Sequence, residues 1–456
     1  MPIAIPLSLL GLGSTITALD FTIVYIALPQ ISRDLGFSPY ALQWVVTAYA
    51  VALGGFLLLG GRLSDLLGRR RMFVTGMLLY AGSSLLGGLA TAPALLIAAR
   101  AVQGIGGAVL MPATLALVVT MFEEGPARNR AMTVWAASGA AGLSLGALLG
   151  GVLTGGFGWS AVFFVNVPLG LAGALAALRI LPADGARHPG RFDLPGAVTG
   201  TAGITCLVFT IAHSAERGLD LLGAVALVLA VALLAGFVAT EARSRNPLLP
   251  LRLLTNRHTA AGVAAILGYG MTLQCVPYFL TLHFQTVLGY GAVRSGLAFL
   301  GPTLGITVGN LAGERLIPRL GLRGTMALSV TIGVLGTIVL ALSLSATGSY
   351  LGLLGGLLGF GVGAGLTYST MFIVAATGVA PQEQGAVSGL AATVLQAGNS
   401  AGLAILVAVS GHAGFPAHPV EGLRAAVFTA GIIAVAGALA ALVLPRAARR
   451  PEPALN

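Results

Sequence analysis

Apolar stretches of about 20 residues, the length that crosses a lipid bilayer as a helix, recur along this whole chain. Short breaks rich in Gly, Pro, Asp and Arg separate them, among them EEGPA at 123–127, DGARHPGRFD at 184–193, RNPLLP at 245–250 and GHAGFPAHP at 411–419. In lipid such a segment satisfies its backbone hydrogen bonds only as a helix or in a closed barrel. The short alternating segments of a barrel are absent. Composition agrees: 56% of the 456 residues are hydrophobic and only 8% charged, too few polar groups to cover a soluble protein. The expected fold class is therefore an all-α membrane protein. Fourteen spans are placed at 5–29, 40–61, 72–92, 95–121, 130–154, 160–180, 193–213, 220–240, 258–284, 292–313, 324–345, 349–376, 384–410 and 422–445. The first lacks a charged leader and is too long for a signal peptide, so it is taken as a retained span.

Arginine fixes the expected orientation. With both termini cytoplasmic, 19 of the 24 basic residues, all Arg, fall in cytoplasmic segments. Only Arg33, Arg217, Arg294 and Arg424 fall outside, and Arg100 lies within a span. This is the positive-inside bias of a multi-pass plasma-membrane protein. The net charge of +10 is spread over many short segments without a stripe, which argues against a nucleic-acid partner. Cys206 and Cys275 have no metal or disulfide spacing, and no phosphate-binding or nucleophile motif stands out. The expected partners are the lipid bilayer and a small-molecule substrate, with no enzyme activity, metal or cofactor, and a monomeric state.

The spans group into an N-terminal six-helix bundle (1–180), two inserted helices (181–250), a C-terminal six-helix bundle (251–446) and a tail (447–456). GGRLSDLLGRRR at 60–71 and GERLIPRLGLRG at 313–324 echo each other after the second span of each bundle. Internal repeats of this kind are typical of secondary transporters.

Asp20 is the one acidic residue deep within a span, roughly 5 Å from the span's midpoint at the helical rise. An ionised carboxylate there is costly unless paired or neutralised, and intramembrane charges mark transport and proton pathways. Arg100 lies in the fourth span with Gln103 one turn on. Gly142, Gly146 and Gly150 recur every four residues along one helix stripe and permit a close helix contact. Gln43, Trp44, Gln103, Trp135, Asn166, Gln274, Tyr278, Asn310, Tyr368, Gln396 and Asn399 are candidates to line a weakly polar cavity. Such a cavity suits amphipathic or lipophilic cations.

Four stretches together resemble the fourteen-helix drug–proton antiporters of the major facilitator superfamily. LDFTIVYIALP at 19–29 is similar to that family's first-helix pattern, with Tyr25 where Asn is commoner. GRLSDLLGRRR matches its cytoplasmic loop through Gly61, Leu63, Asp65, Gly68, Arg69 and Arg70. RAVQGIGGA at 100–108 matches through Arg100, Gln103, Gly104 and Gly107, and GLSLGALLGG at 142–151 through Gly142, Gly146, Gly150 and Gly151. Ala147 replaces the usual Pro of this last motif, which weakens the expectation of a kink and of export over import. The pieces FFVNVPLG, RFDLPG and FQTVLGYGAVRSGL also fit the fourteen-helix branch.

The resemblance implies the major facilitator fold, with two extra central helices, and proton-coupled efflux of hydrophobic or cationic compounds powered by the proton gradient. It gives Asp20 the proton and Arg100 its tuning. It makes Gly61, Asp65, Gly68, Arg69 and Arg70 a latch between the two bundles, with Glu123 or Glu124 accepting Arg69. The alternatives are a dedicated exporter of one metabolite, antibiotic or lipid, proton-coupled uptake, and a non-transporting scaffold, which would need a soluble domain.

Overall fold

The computed structural model describes residues 4–123, 126–184, 194–244, 251–380 and 383–442, among which no strand occurs. The helices run in order α1 (Ala4–Leu35), α2 (Pro39–Leu42), α3 (Trp44–Leu67), α4 (Arg69–Gly88), α5 (Pro93–Met121) and α6 (Pro126–Phe157). They continue with α7 (Ala161–Phe164), α8 (Asn166–Ile180), α9 (Leu194–Arg217), α10 (Leu221–Arg243), α11 (Arg257–Met271) and α12 (Val276–Leu282). The last are α13 (Ala292–Ala298), α14 (Leu300–Ser343), α15 (Tyr350–Ala376), α16 (Gln384–His412) and α17 (Pro419–Leu442).

Eleven helical stretches among the described residues are long and apolar enough to cross a membrane. The expected spans at 72–92, 193–213 and 422–445 fall on α4, α9 and α17, which are helical but not among the eleven. The expected tail, 447–456, lies outside the described residues.

Helix ends are set by local chemistry. Ser38 and Ser349 accept hydrogen bonds from the Ala41 and Gly352 amides, at 3.1 and 3.3 Å. Asp220 caps α10 through the Gly223 amide at 2.8 Å and lies 2.9 Å from the His213 ring. Those two contacts, the backbone bond first, hold the exposed Asp220 carboxyl below its ordinary range.

The helices before residue 184 pack chiefly on one another, α1 on α6 and α5, α3 on α5, and α4 on α5 and α8. The helices after 257 do the same, α14 on α15 and α17, and α11 on α15, α16 and α17. The two sets meet where α3 packs on α16, α6 on α13 and α1 on α12. Helices α9 and α10 pair, and α9 lies against both α3 and α16.

Three buried apolar clusters show how the halves are joined. One draws on both halves, including Ile23, Trp159 and Phe163 from the first and Tyr278, Phe284 and Leu423 from the second. A second uses only the first half, with Phe73, Tyr80 and Leu110. A third uses only the second, with Leu253, Met326, Met371 and Val374. The shared core therefore lies toward the end opposite the Gly68 turn, and at the Gly68 end each half closes on itself.

The sequence echo has a backbone counterpart. Gly68 joins α3 to α4 at φ 107°, and Gly321 breaks α14 at φ 69°. Both angles favour glycine. At Gly68 a Cβ would also meet the Asp184 carboxyl carbon at 2.3 Å. Gly68→Ala is predicted to lower stability by about 1–3 kcal/mol, the cost of a strained backbone. Gly82→Ala, where a Cβ meets nothing within 4 Å, should leave the thermal unfolding temperature in detergent unchanged or raise it.

Candidate functional site

Asp20 is fully buried on α1, and α5 and α8 reach it directly. Arg100 of α5 donates through Nη1 to Asp20 Oδ2 at 2.5 Å. Gln103, one turn further along α5, donates to Oδ1 at 2.7 Å, and Asn166 at the start of α8 donates to the same oxygen at 3.1 Å. Gln103 also donates to Ser84 of α4 at 3.0 Å.

Arg100 is itself 2% exposed and has three further neighbours. Its Nε donates to the Val45 carbonyl of α3 at 2.8 Å and its Nη1 to Gln103 Oε1 at 2.7 Å. Its guanidinium carbon sits 4.3 Å from the centre of the Tyr49 ring. The Tyr49 hydroxyl pairs with that of Tyr80 at 3.1 Å. A buried pair of opposite charges persists only when further hydrogen bonds satisfy it, and this network supplies them.

The glycine stripe positions α1 and so Asp20. A Cβ on Gly142 would meet the Thr15 carbonyl at 2.6 Å, on Gly146 the Leu19 carbonyl at 2.4 Å, and on Gly150 the Ile23 carbonyl at 2.8 Å. Thr15 and Thr22 donate across the same contact to the carbonyls of Ser138 and Leu143, at 3.0 and 2.8 Å. Gly151 points elsewhere, toward the Ala292 carbonyl of the second half. Helix α6 runs unbroken through Ala147, so nothing interrupts this stripe.

The Asp184 carboxylate accepts from the Arg70 and Arg71 amides at 2.9 and 3.1 Å, capping the N-terminus of α4. The Arg70 guanidinium donates to the Leu178 carbonyl. These contacts tie α4 to the end of α8 within one half. Glu123, expected to accept Arg69, is exposed. The Asp65 side chain and Glu124 lie outside the described residues. Gly61 faces Pro112 of α5.

Of the remaining cavity candidates, Trp44, Trp135, Tyr278, Tyr368 and Asn310 lie apart from the Asp20 network. Trp44 packs against Phe209 of α9, its ring centre 6.1 Å away, and Trp135 packs on the first half's own core. Tyr278 is buried in the shared core against Phe279. Tyr368 lies beside Tyr269 on α11 and is 43% exposed. Asn310 is half-buried on α14. Gln274 donates to Gln396 at 3.3 Å, and Asn399 lies beside the Cys275 thiol. Gln43 is fully buried. Ser84, Tyr49, Tyr80 and Asp184 were not expected from the sequence. Ser84 and Asp184 are common polar residues whose roles depend on partners 19 and 114 residues away.

A sequence model described as the Major Facilitator Superfamily matches residues 10–403. The cephamycin export protein CmcT of Amycolatopsis lactamdurans is 42% identical over 82% of this chain and 78% of its own. The puromycin resistance protein pur8 of Streptomyces alboniger is 39% identical over 82% and 75%. The multidrug resistance protein Stp of Mycobacterium tuberculosis is 32% identical over 83% and 71%. Among solved structures, an auto-inhibited POT family peptide transporter superposes with a TM-score of 0.71 at 16% identity, covering 99% of each chain. That similarity shows the shared fold.

Removing one partner of a buried ion pair strands the other charge and costs about 3–5 kcal/mol. Arg100→Met should therefore destabilise the protein by about that much. The double variant Asp20→Asn/Arg100→Met should recover most of the loss in thermal unfolding. Additive losses would show that the two side chains do not act as a pair.

Proposed function

The chain belongs to the Major Facilitator Superfamily, and from that premise we propose that it exports hydrophobic, drug-like compounds in exchange for protons. In this reading fourteen helical spans cross the plasma membrane with both termini cytoplasmic. The Gly68 and Gly321 turns then lie on the cytoplasmic side. The shared core closes the outer side, which is the inward-facing stage of an alternating-access cycle.

The observation that carries the proposal is the setting of Asp20. Among the described residues it is the one carboxylate deep in a span, and Arg100 keeps other acceptors if Asp20 takes a proton. The Val45 carbonyl, the Gln103 amide oxygen and the Tyr49 ring would still hold the guanidinium. Protonation would remove the ion pair without leaving Arg100 bare, so the site can exist in two charge states. Asp20 thus carries the proton and Arg100 tunes its release.

Helix α1 connects this chemistry to the gate. Its Ile26 carbonyl accepts from Gln285 of the second half at 2.8 Å. A proton on Asp20 loosens the hold of α5 and α8 on α1, and the same helix reaches the contact that closes the outer side. Cytoplasmic release of the proton restores the pair.

A dedicated exporter of one self-made antibiotic is the second reading. It is favoured by relatives named as a cephamycin export protein and a probable actinorhodin transporter.

The test is efflux across energised inverted vesicles, with a panel of drug-like compounds as loads. Collapse of the proton gradient and the Asp20→Asn substitution should each reduce transport to the level of vesicles without the protein. Undiminished transport after collapse of the gradient would remove the coupling, and normal proton-driven transport by Asp20→Asn would remove the role of Asp20.

A further inference from the structure

The seam between the halves holds buried polar side chains that the proton site does not use. Gln43, Thr47 and Gly54 fall on one face of α3 at the helical period. Gly54 fixes what that face meets. Its carbonyl accepts from Thr393 of α16 at 2.9 Å, and a Cβ there would touch the Gln396 side chain at 2.7 Å. Gln43 and Thr47 continue along this face and are fully buried. Neither end of the Gln43 amide has a hydrogen-bond partner in the chain, and nor does the Thr47 hydroxyl.

The opposite wall has the same character. Asn399 of α16 is fully buried, and its Nδ2 is unpartnered. Gln274 has an unpartnered Oε1 beside Gln396. Tyr25 of α1, 2% exposed with an unpartnered hydroxyl, lies in the same buried core as Cys275, the neighbour of Asn399. Buried polar groups are normally paired, and a cluster of orphans needs an explanation. Donors and acceptors are both present, and every member is neutral.

The charge inventory completes the argument. Between residues 251 and 446 the chain has three acidic side chains. Glu383 and Glu421 stand at helix ends, and Glu314 lies two turns before the Gly321 break. Among the described residues, the charges at the level of this seam are Asp20 and Arg100, which neutralise each other. The lipophilic cations expected from the sequence would find no unpaired carboxylate here, and burying an unpaired charge is far more costly than burying an amide.

We infer that this seam binds a neutral molecule through its amide or hydroxyl groups, with Gln43, Thr47 and Tyr25 on one wall and Asn399 and Gln274 on the other. The inference rests on the export reading above and narrows its substrate class. It also has an electrical consequence. Exchange of a neutral load for a proton moves one positive charge inward per cycle, so the membrane potential drives export even without a pH difference. Exchange of a monovalent cation for one proton would not respond to the potential.

The test uses proteoliposomes of the full chain and a panel of compounds matched in size. Half are neutral with amide and hydroxyl groups, chloramphenicol among them, and half are permanent cations without such groups, tetraphenylphosphonium among them. Transported compounds should be confined to the neutral half and should move under a potassium-diffusion potential at equal pH. Cations among the transported compounds, or no transport in the neutral half, would overturn the inference. Proton-driven export of cations alone would do so while leaving the export reading intact.

Gln43→Leu supplies a second readout. Removing an orphaned buried amide should leave the unfolding temperature equal or higher, yet weaken binding of a transported neutral compound about tenfold, the worth of one hydrogen bond. Unchanged binding, or a lower unfolding temperature, would assign Gln43 a structural role instead.

Discussion

A charge pair held out of water governs this architecture. Asp20 and Arg100 are joined at 2.5 Å and are almost wholly buried. In a low-dielectric interior neither ion is tolerable without further hydrogen bonds, so the surrounding helices must deliver enough polar groups to both. Helices α3, α5 and α8 do so through a backbone carbonyl, an aromatic face, a glutamine and an asparagine, and a serine of α4 holds that glutamine. The bundle is thereby locked around one point.

Small residues make that point reachable. The stripe of Gly142, Gly146 and Gly150 brings α6 so close to α1 that a single methyl would meet a carbonyl oxygen at 2.4–2.8 Å. Lipid gives helices no hydrophobic reason to associate, so close backbone contact and interhelical hydrogen bonds supply the attraction. Thr15 and Thr22 add two such bonds across the same contact. The seam between α3 and α16 uses the same device at Gly54. Helix α9 adds another, with Thr201 donating to the Gly55 carbonyl at 2.5 Å. One pair of peptides on α3 therefore holds both the second half and the inserted helix.

Much of this was legible in the sequence, and the boundary of legibility is physical. Asp20 and Arg100 stood out because charge is rare in apolar runs, and Gln103 because it lies one helical turn from Arg100. The glycine stripe and the echo of the Gly68 turn at Gly321 were visible as periodicity and repeat. Asn166 was singled out, but as a cavity residue and not as a donor to Asp20, because that contact spans 146 residues and exists only once α8 has packed. Asp184 lay in a break between apolar stretches, and only the folded turn shows it capping α4. The orphaned state of Gln43 and Thr47 is a property of packing, since a sequence lists polar groups but not their partners.

The central claim is that Asp20 exchanges its proton in step with the load. Proton release on substrate binding to the detergent-solubilised protein tests this most directly, followed with a pH-indicator dye in the wild type and in Asp20→Asn. The account predicts release from the wild type and none from Asp20→Asn, with substrate binding retained in both. Equal release from the variant would contradict it.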